Sequence, residues 1–285
     1  SKLAAGKGGG RTCHGLGHAK LVCTAYRTSE TKLSWSLCPR SNSVWCIFIS
    51  AVCSPLGSTL AALQVTMGIN LGDVFPDFTA NTTKGSISFH SFLGDSWGIL
   101  FSHPADFTPV CTTELGRVNQ LLAEFEKRNV KPIALSCDPV DKHSDWIKDI
   151  QAYSAQSGDW GYPIIADEQR ELAVRFGMLD PDEKDKAGMP LTARCVFIIG
   201  PDKKLKLSLL YPASTGRNFD EIIRVIDSLQ LTAYKKVATP VNWQPGGECM
   251  VLPSVKPEDA KTLFPEHYTK ELPSGKGYMR FTPQP

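Results

Sequence analysis

Phe101-Ser-His-Pro-Ala-Asp-Phe-Thr-Pro-Val-Cys-Thr-Thr-Glu-Leu-Gly116 is the stretch on which the reading of this chain turns. Its first residue closes an apolar run, 97–101, that reads as a buried strand. Its last residues open a helical pattern in which Leu115, Val118, Leu122 and Phe125 share one face. Cys111 therefore falls in the first turn of a helix that follows directly on a strand. Free backbone N–H groups and the positive end of the helix dipole favour an anion there. A thiol so placed loses its proton more easily, and the thiolate is the reactive form. Thr108, three residues upstream, brings a hydroxyl that can donate to an oxygen near the sulfur. Pro104 and Pro109 stiffen the loop and shield one side of it. His103 is close enough in sequence to reach the thiol or its oxidised form. The plainer alternative is a buried, inert cysteine that happens to open a helix. The common register of Pro104, Thr108 and the helix start argues against it.

Outward from this stretch, strands and helices alternate. Strand-like segments fall at 97–102, 130–136, 163–166, 193–199 and 205–210, and helical patterns at 112–128, 142–154, 170–176 and 219–229. In the last helix Ile222, Ile223, Ile226 and Leu229 form an apolar stripe suited to packing on a sheet. The segments 193–199 and 205–210 make one hairpin, turning at Gly200-Pro-Asp-Lys203. This pattern predicts the α/β class, a central sheet covered by helices. Pro- and Gly-rich sequence from Thr239 onward marks a smaller C-terminal part.

Composition narrows the function. Hydrophobic content of 42% and charged content of 21% are ordinary for a globular protein. The formal net charge of +2 is uneven: residues 1–66 carry seven Lys/Arg against one acid, so the remainder is mildly acidic. An acidic body gives no support to nucleic-acid binding. Five of the nine cysteines lie in residues 1–66, and the rest of the chain keeps Cys111, Cys137, Cys195 and Cys249. No Cys-x-x-Cys pair or Cys/His spacing suggests a metal. So few cysteines fit a reducing compartment, and the cytoplasm is the expected location. Residues 1–66 begin Gly-rich and show no sustained period, so they are expected to lie outside the fold, with Met67 as the natural start. Their apolar patch at 44–53 is too short to span a membrane and begins too late for a standard signal peptide.

The Pro-x-x-x-Thr-x-x-Cys spacing from Pro104 to Cys111 resembles the active-site signature of the peroxiredoxins. The longer match, from Phe101 to Gly116, is similar to the one-cysteine (peroxiredoxin-6) subfamily. The resemblance runs from about Met67 to Pro285. It implies a thioredoxin-like fold, a central mixed sheet flanked by helices, over 67–235, followed by a C-terminal domain over 236–285. It also implies a homodimer, with the C-terminal part packed around the active site. The activity implied is thiol-dependent reduction of hydrogen peroxide and of organic and phospholipid hydroperoxides, through a sulfenic acid at Cys111. Such chemistry needs a cation beside the sulfur to favour the thiolate and the departing oxygen. Arg194 opens the apolar run 193–199, where an arginine is unusual unless it points at a partner; an edge-strand surface arginine is the alternative. The resemblance makes it the active-site arginine, together with Cys111, Thr108 and Pro104. Arg217 is a candidate for the outer part of the site, and Glu114 a candidate to hold an arginine in place.

A sulfenic acid must be reduced again. Two-cysteine relatives carry a resolving cysteine in a C-terminal Val-Cys-Pro segment, which is missing here. Cys249 sits in a different context, Gly-Glu-Cys-Met-Val, and is the one other cysteine not dismissed; Cys137 and Cys195 read as packed thiols. The reductant is therefore expected to be external, with no bound cofactor. In the subfamily it is glutathione, delivered with a glutathione transferase, or another small reductant such as ascorbate.

A second motif, Gly94-Asp-Ser-Trp-Gly98, matches the Gly-x-Ser-x-Gly elbow of lipases and esterases. An elbow serine sits between a strand and a following helix, whereas Ser96 precedes a strand. On residues alone it is a Gly-flanked turn. The resemblance adds a phospholipase A2 activity at a phospholipid surface, using a Ser-His-Asp set matched here by Ser96, His90 and Asp202. His90 otherwise reads as a surface histidine and Asp202 as a solvated turn residue. Two rival readings of the whole chain are a serine lipid hydrolase with Cys111 incidental, and a non-enzymatic redox sensor.

Overall fold

The computed structural model describes residues 68–285. Expectations for residues 1–66 and for Met67 lie outside the described residues. The chain opens with β1 (Thr79–Thr82), β2 (Gly85–Ser88) and α1 (Phe89–Leu93). Next come β3 (Trp97–Ser102), α2 (Pro109–Gln120), α3 (Leu122–Lys127), β4 (Val130–Ser136) and α4 (Val140–Tyr153). There follow β5 (Ile164–Ala166), α5 (Glu171–Arg175), β6 (Leu179–Lys184), β7 (Pro190–Thr192), β8 (Arg194–Ile199), β9 (Leu205–Tyr211) and α6 (Phe219–Tyr234). The last elements are β10 (Val237–Ala238), β11 (Cys249–Val251), α7 (Pro257–Leu263), β12 (Tyr268–Thr269) and β13 (Arg280–Thr282).

Seven strands form the main sheet in the order β2-β1-β5-β4-β3-β8-β9. β3 pairs parallel with β4 and antiparallel with β8, so the sheet is mixed, as expected. All six residues of β3, Trp-Gly-Ile-Leu-Phe-Ser, are buried because both faces of this central strand are covered. Alternation of side chains divides the core. Trp97, Ile99 and Phe101 join a cluster with Leu115 and Val118 of α2, Trp146 and Ile150 of α4, and Phe219, Ile222 and Ile226 of α6. Leu100 points the other way, into a cluster with Phe75, Phe89 and Leu93, and with Leu172 and Ala173 of α5. Gly116 permits the close approach of α2 to α4, since a Cβ there would lie 3.1 Å from Cβ of Ser154.

The expected hairpin forms as β8 and β9, with Lys203 at φ +61° in its turn. Residues 237–282 add a four-stranded sheet, β10-β11-β13-β12, over its own apolar cluster that includes Val237, Trp243, Cys249 and Phe264. Three differences from the sequence reading stand out. The single helix expected over 112–128 breaks at Leu121, whose ψ of 7° separates α2 from α3. The stripe on α6 ends near Leu229, but the helix runs on to Tyr234. The hairpins β1–β2 and β6–β7 carry little apolar alternation and did not register as strands. Among the described residues no helix is long and apolar enough to cross a membrane.

Candidate active site

β3 delivers the chain to the site and α2 begins it. Pro109 occupies the first turn of α2, where its missing N–H costs nothing, and Thr108 precedes it in an extended conformation. Phe107 holds φ +58°, a strained setting for an aromatic residue, and is half exposed. Cys111 thus lies in the first turn of α2, as the sequence predicts. Antiparallel pairing of Phe101 with Val196 brings the start of β8 level with the end of β3. Arg194, the first residue of β8, then reaches α2 from a distant part of the chain. Its Nη1 donates to Cys111 Sγ at 3.4 Å and to Glu114 Oε2 at 2.7 Å. Its Nε and Nη2 donate to the carbonyl of Ala213. With 2% exposure Arg194 is no edge-strand surface residue.

Glu114 holds two arginines. Its Oε1 accepts from the backbone N–H and Nε of Arg217, and its Oε2 from Nη2 of Arg217 as well as from Arg194. Arg217 also donates to the carbonyl of Cys195 and lies over the rings of Phe101 and Phe219. Burial works against the charged form of Glu114, but the hydrogen bonds and charge of Arg217, with the charge of Arg194, outweigh it and hold the carboxyl below its usual range. The result is a buried Arg–Glu–Arg chain that fixes one guanidinium against the sulfur.

Two expected contacts are corrected. The Thr108 hydroxyl donates to the carbonyl of Ala105 at 2.8 Å, so only its lone pairs remain for a ligand. His103 does not bond to the sulfur: its Nε2 is tied to Asp106 Oδ1 at 2.7 Å and its ring packs on Trp146. Cys111 itself is fully buried, although Phe107 and Pro109 are exposed and Thr108 and Val110 half-buried. Pro104 is buried in the loop that precedes it. The indole N–H of Trp146 donates to Thr112 Oγ1, next to Cys111.

The other described cysteines are unpaired packed thiols. Burial pushes Cys137 up to about 12 and Cys195 up to about 11. Cys249 is buried in the C-terminal cluster, where burial also raises its thiol.

Sequence reading missed Asp106 and His143. Asp106 lies in the quoted stretch but reads as a loop residue, and His143 sits on the buried face of α4 with Trp146 and Ile150. Asp106 accepts from His103 on one oxygen and faces His143 Nδ1 at 2.5 Å with the other. The ligating atoms of these three residues lie within 4.8 Å of one another, a grouping able to hold a metal ion, though here they bond directly to each other.

The Ser-His-Asp set is not assembled by hydrogen bonds. Ser96 Oγ donates to Asn129 Oδ1 at 2.7 Å, His90 Nε2 meets the carbonyl of Phe75 at 2.7 Å, and Asp202 pairs with Lys206 at 2.6 Å. Ser96 is buried and precedes β3, so the elbow context is missing in the fold as in the sequence.

The chain matches the AhpC/TSA family over residues 71–208 and the C-terminal domain of 1-Cys peroxiredoxin over residues 228–267. It is 68% identical over 221 residues to peroxiredoxin-6 of Gallus gallus, covering 76% of this chain and 99% of the relative. A crystal structure of a cysteine-to-serine mutant of the peroxiredoxin 6 of Arenicola marina superimposes with TM-score 0.76 at 67% identity, covering 76% of this chain and 99% of that one. A yeast mitochondrial 1-Cys peroxiredoxin follows with TM-score 0.69 at 45% identity, covering 75% and 99%. With a helix-borne cysteine under a buried arginine and relatives matched over nearly their whole length, the chain belongs to the peroxiredoxin family, in its one-cysteine branch, and is a thiol peroxidase.

Proposed function

We propose that Cys111 is the peroxidatic sulfur and that Arg194 is the group that makes it so. Its thiolate attacks one peroxide oxygen. The S–O bond forms as the O–O bond breaks, leaving a sulfenic acid, and the other oxygen departs with a proton as water or alcohol. The supporting observation is the guanidinium 3.4 Å from Sγ, held by Glu114, where charge on the sulfur and on the departing oxygen meets a fixed cation. The lone pairs of Thr108 Oγ1 accept from the peroxide O–H, and Pro104 limits the loop. Because Cys111 is buried, peroxide enters by local opening of the strained turn at Phe107.

The sulfenic acid is returned to thiol by an external thiol such as glutathione, supplied free or by a glutathione transferase. The yeast mitochondrial relative is described as resolving its thiol through glutathione/thioredoxin systems, which supports this reading. Among the described residues the other thiols are Cys195 and Cys249, which are buried, and Cys137, which is half-buried; burial raises all three, which disfavours them as partners for Cys111. Hydrogen peroxide and organic and phospholipid hydroperoxides are the substrates, the working unit is a homodimer, and the setting is cytoplasmic. A phospholipase A2 activity through Ser96, His90 and Asp202 requires these side chains to leave their present partners, so it stays secondary.

One equivalent of hydrogen peroxide, followed by intact mass, tests the proposal. Addition of one oxygen at Cys111, reversed by glutathione over many turnovers, is the expected result. Oxidation that maps to another cysteine would overturn it, and a single turnover without recycling would leave a redox sensor.

A further inference from the structure

Between β9 and α6 the chain passes over the first turn of α2 as Pro212-Ala-Ser-Thr-Gly-Arg217. Both ends of this segment are fastened to the active site. The carbonyl of Ala213 accepts from Nε of Arg194 at 2.9 Å and from Nη2 at 2.6 Å, and the same guanidinium reaches Cys111 Sγ. The backbone N–H of Arg217 donates to Glu114 Oε1 at 2.6 Å. Between these anchors the N–H of Thr215 donates to the carbonyl of Pro212, and Ser214, Thr215 and Gly216 are exposed. The backbone does not require a glycine at 216, because its φ lies outside the left-handed region, unlike that of Gly158 or Gly246. Nor does a tight contact exclude a side chain. A Cβ at Gly216 would lie 3.4 Å from Cγ1 of Val110, and no other described atom beyond its chain neighbours would come within 4 Å. Gly216 therefore leaves an open space, bordered by the apolar side chain that immediately precedes Cys111.

We propose that Gly216 is a specificity-determining position of the peroxidase: the space it leaves beside Val110 receives the organic group of an alkyl or aryl hydroperoxide, whose O–O end lies at Cys111 and Arg194. The inference rests on the peroxidase reading and deepens it, by naming the part of the fold that admits a substrate larger than hydrogen peroxide. Hydrogen peroxide has no group to place there. An organic hydroperoxide has one, and it leaves water against an apolar border. The anchors decide how the width of the space is set. Ala213 and Arg217 are pinned to Arg194 and Glu114, so the segment cannot draw back from a bulky group without releasing the guanidinium that faces the sulfur. Width is therefore fixed by the residue at 216 and not by movement of the segment. A side chain there narrows the space at the expense of large substrates, while the thiol, the guanidinium and their shared carboxylate keep their contacts.

The test compares the second-order rate of sulfenic acid formation in the full chain with hydrogen peroxide and with cumene hydroperoxide, so that recycling by thiol does not enter. In Gly216→Leu the rate with cumene hydroperoxide is expected to fall about tenfold, while the rate with hydrogen peroxide stays within about twofold of the wild type. Gly216→Ala, whose Cβ fits at 3.4 Å from Val110, is expected to shift the ratio of the two rates in the same direction by about threefold. An equal fall with both peroxides in Gly216→Leu would mean that the substitution disturbs Arg194 or Glu114, and would overturn the proposal. So would a ratio equal to that of the wild type. Should Gly216→Leu not fold, the ratio in Gly216→Ala decides by itself, and an unchanged value there overturns the proposal. The peroxidase reading fails differently. A wild-type Cys111 that neither peroxide oxidises removes that reading and this inference together, whereas a normal rate with hydrogen peroxide and an unchanged ratio in the variants removes the inference alone.

Discussion

The surroundings of Cys111 and those of Ser96 make an instructive pair. Ser96 directly precedes β3, Cys111 lies in the helix after it, and both belong to a short motif. At Cys111 two arginines distant in sequence, Arg194 and Arg217, converge on Glu114 of the same helix, and Arg194 reaches the sulfur. At Ser96 the three matched side chains each turn to a different partner: Asn129, the carbonyl of Phe75, and Lys206. A motif specifies residue types at a spacing, but chemistry needs the groups to share a point in space. Convergence on one atom separates the two sites, and substitutions can test that distinction.

Cys111→Ser is expected to have the largest effect. Peroxide turnover falls to background in a coupled thiol assay, because serine has no accessible anion to attack the O–O bond. Turnover that survives would place the peroxidatic sulfur elsewhere and erase the contrast with Ser96.

Arg194→Met is next. Removing the guanidinium while keeping an apolar chain of similar length is expected to cost about 100-fold in the rate of sulfenic acid formation, measured by stopped flow. Recycling by thiol should be affected less, since it follows the O–O cleavage. An unchanged rate would mean that the 3.4 Å contact is only packing.

Glu114→Gln moves stability more than chemistry. Two buried guanidinium groups would lose their shared carboxylate, a loss of about 3–5 kcal/mol by denaturant unfolding. The pH dependence has a definite sign. Glu114 titrates below its ordinary 4.5 when folded, so the stability it contributes is present above that value and disappears as pH falls through the folded value. The wild type should therefore lose stability on acidification in a window that the glutamine variant does not share. Equal slopes in the two proteins would show that the Arg–Glu–Arg chain does not hold the site.

The strand-to-helix passage from Trp97 to Phe125 was legible because a continuous apolar run and a period-3.6 pattern are joined there by one short Pro-containing loop. Arg194 was legible as an oddity, a charge opening an apolar strand, though only the antiparallel register shows that it lands on α2. Burial of Cys111 was not, since it depends on α4 and α6 closing over α2 from elsewhere in the chain. Asp106 and His143 were missed for a related reason: their bond joins residues 37 apart, and neither carries a local pattern. The strand β6, Leu-Asp-Pro-Asp-Glu-Lys, reads as a charged loop. The fold makes it a strand by pairing it with β7, next to the Asp185 side chain that Arg170 grips at 2.7 Å.

Ser96→Ala carries the smallest expected effect and the sharpest reading of the second motif. The substitution removes one hydrogen bond, from Ser96 Oγ to Asn129 Oδ1, and costs about 1 kcal/mol of stability. Peroxide turnover stays unchanged, because Ser96 lies at the start of β3 and Cys111 follows its end. Hydrolysis of a phospholipid vesicle, measured on the same two proteins, then tests the comparison. If the wild type hydrolyses lipid and Ser96→Ala does not, the hydroxyl must leave Asn129 and the His90 ring must leave the carbonyl of Phe75 on contact with the vesicle. The motif would then mark a site that assembles only at a surface, unlike the preformed one at Cys111. If neither protein exceeds background, the three side chains are turn and capping residues, held by the hydrogen bonds they already make.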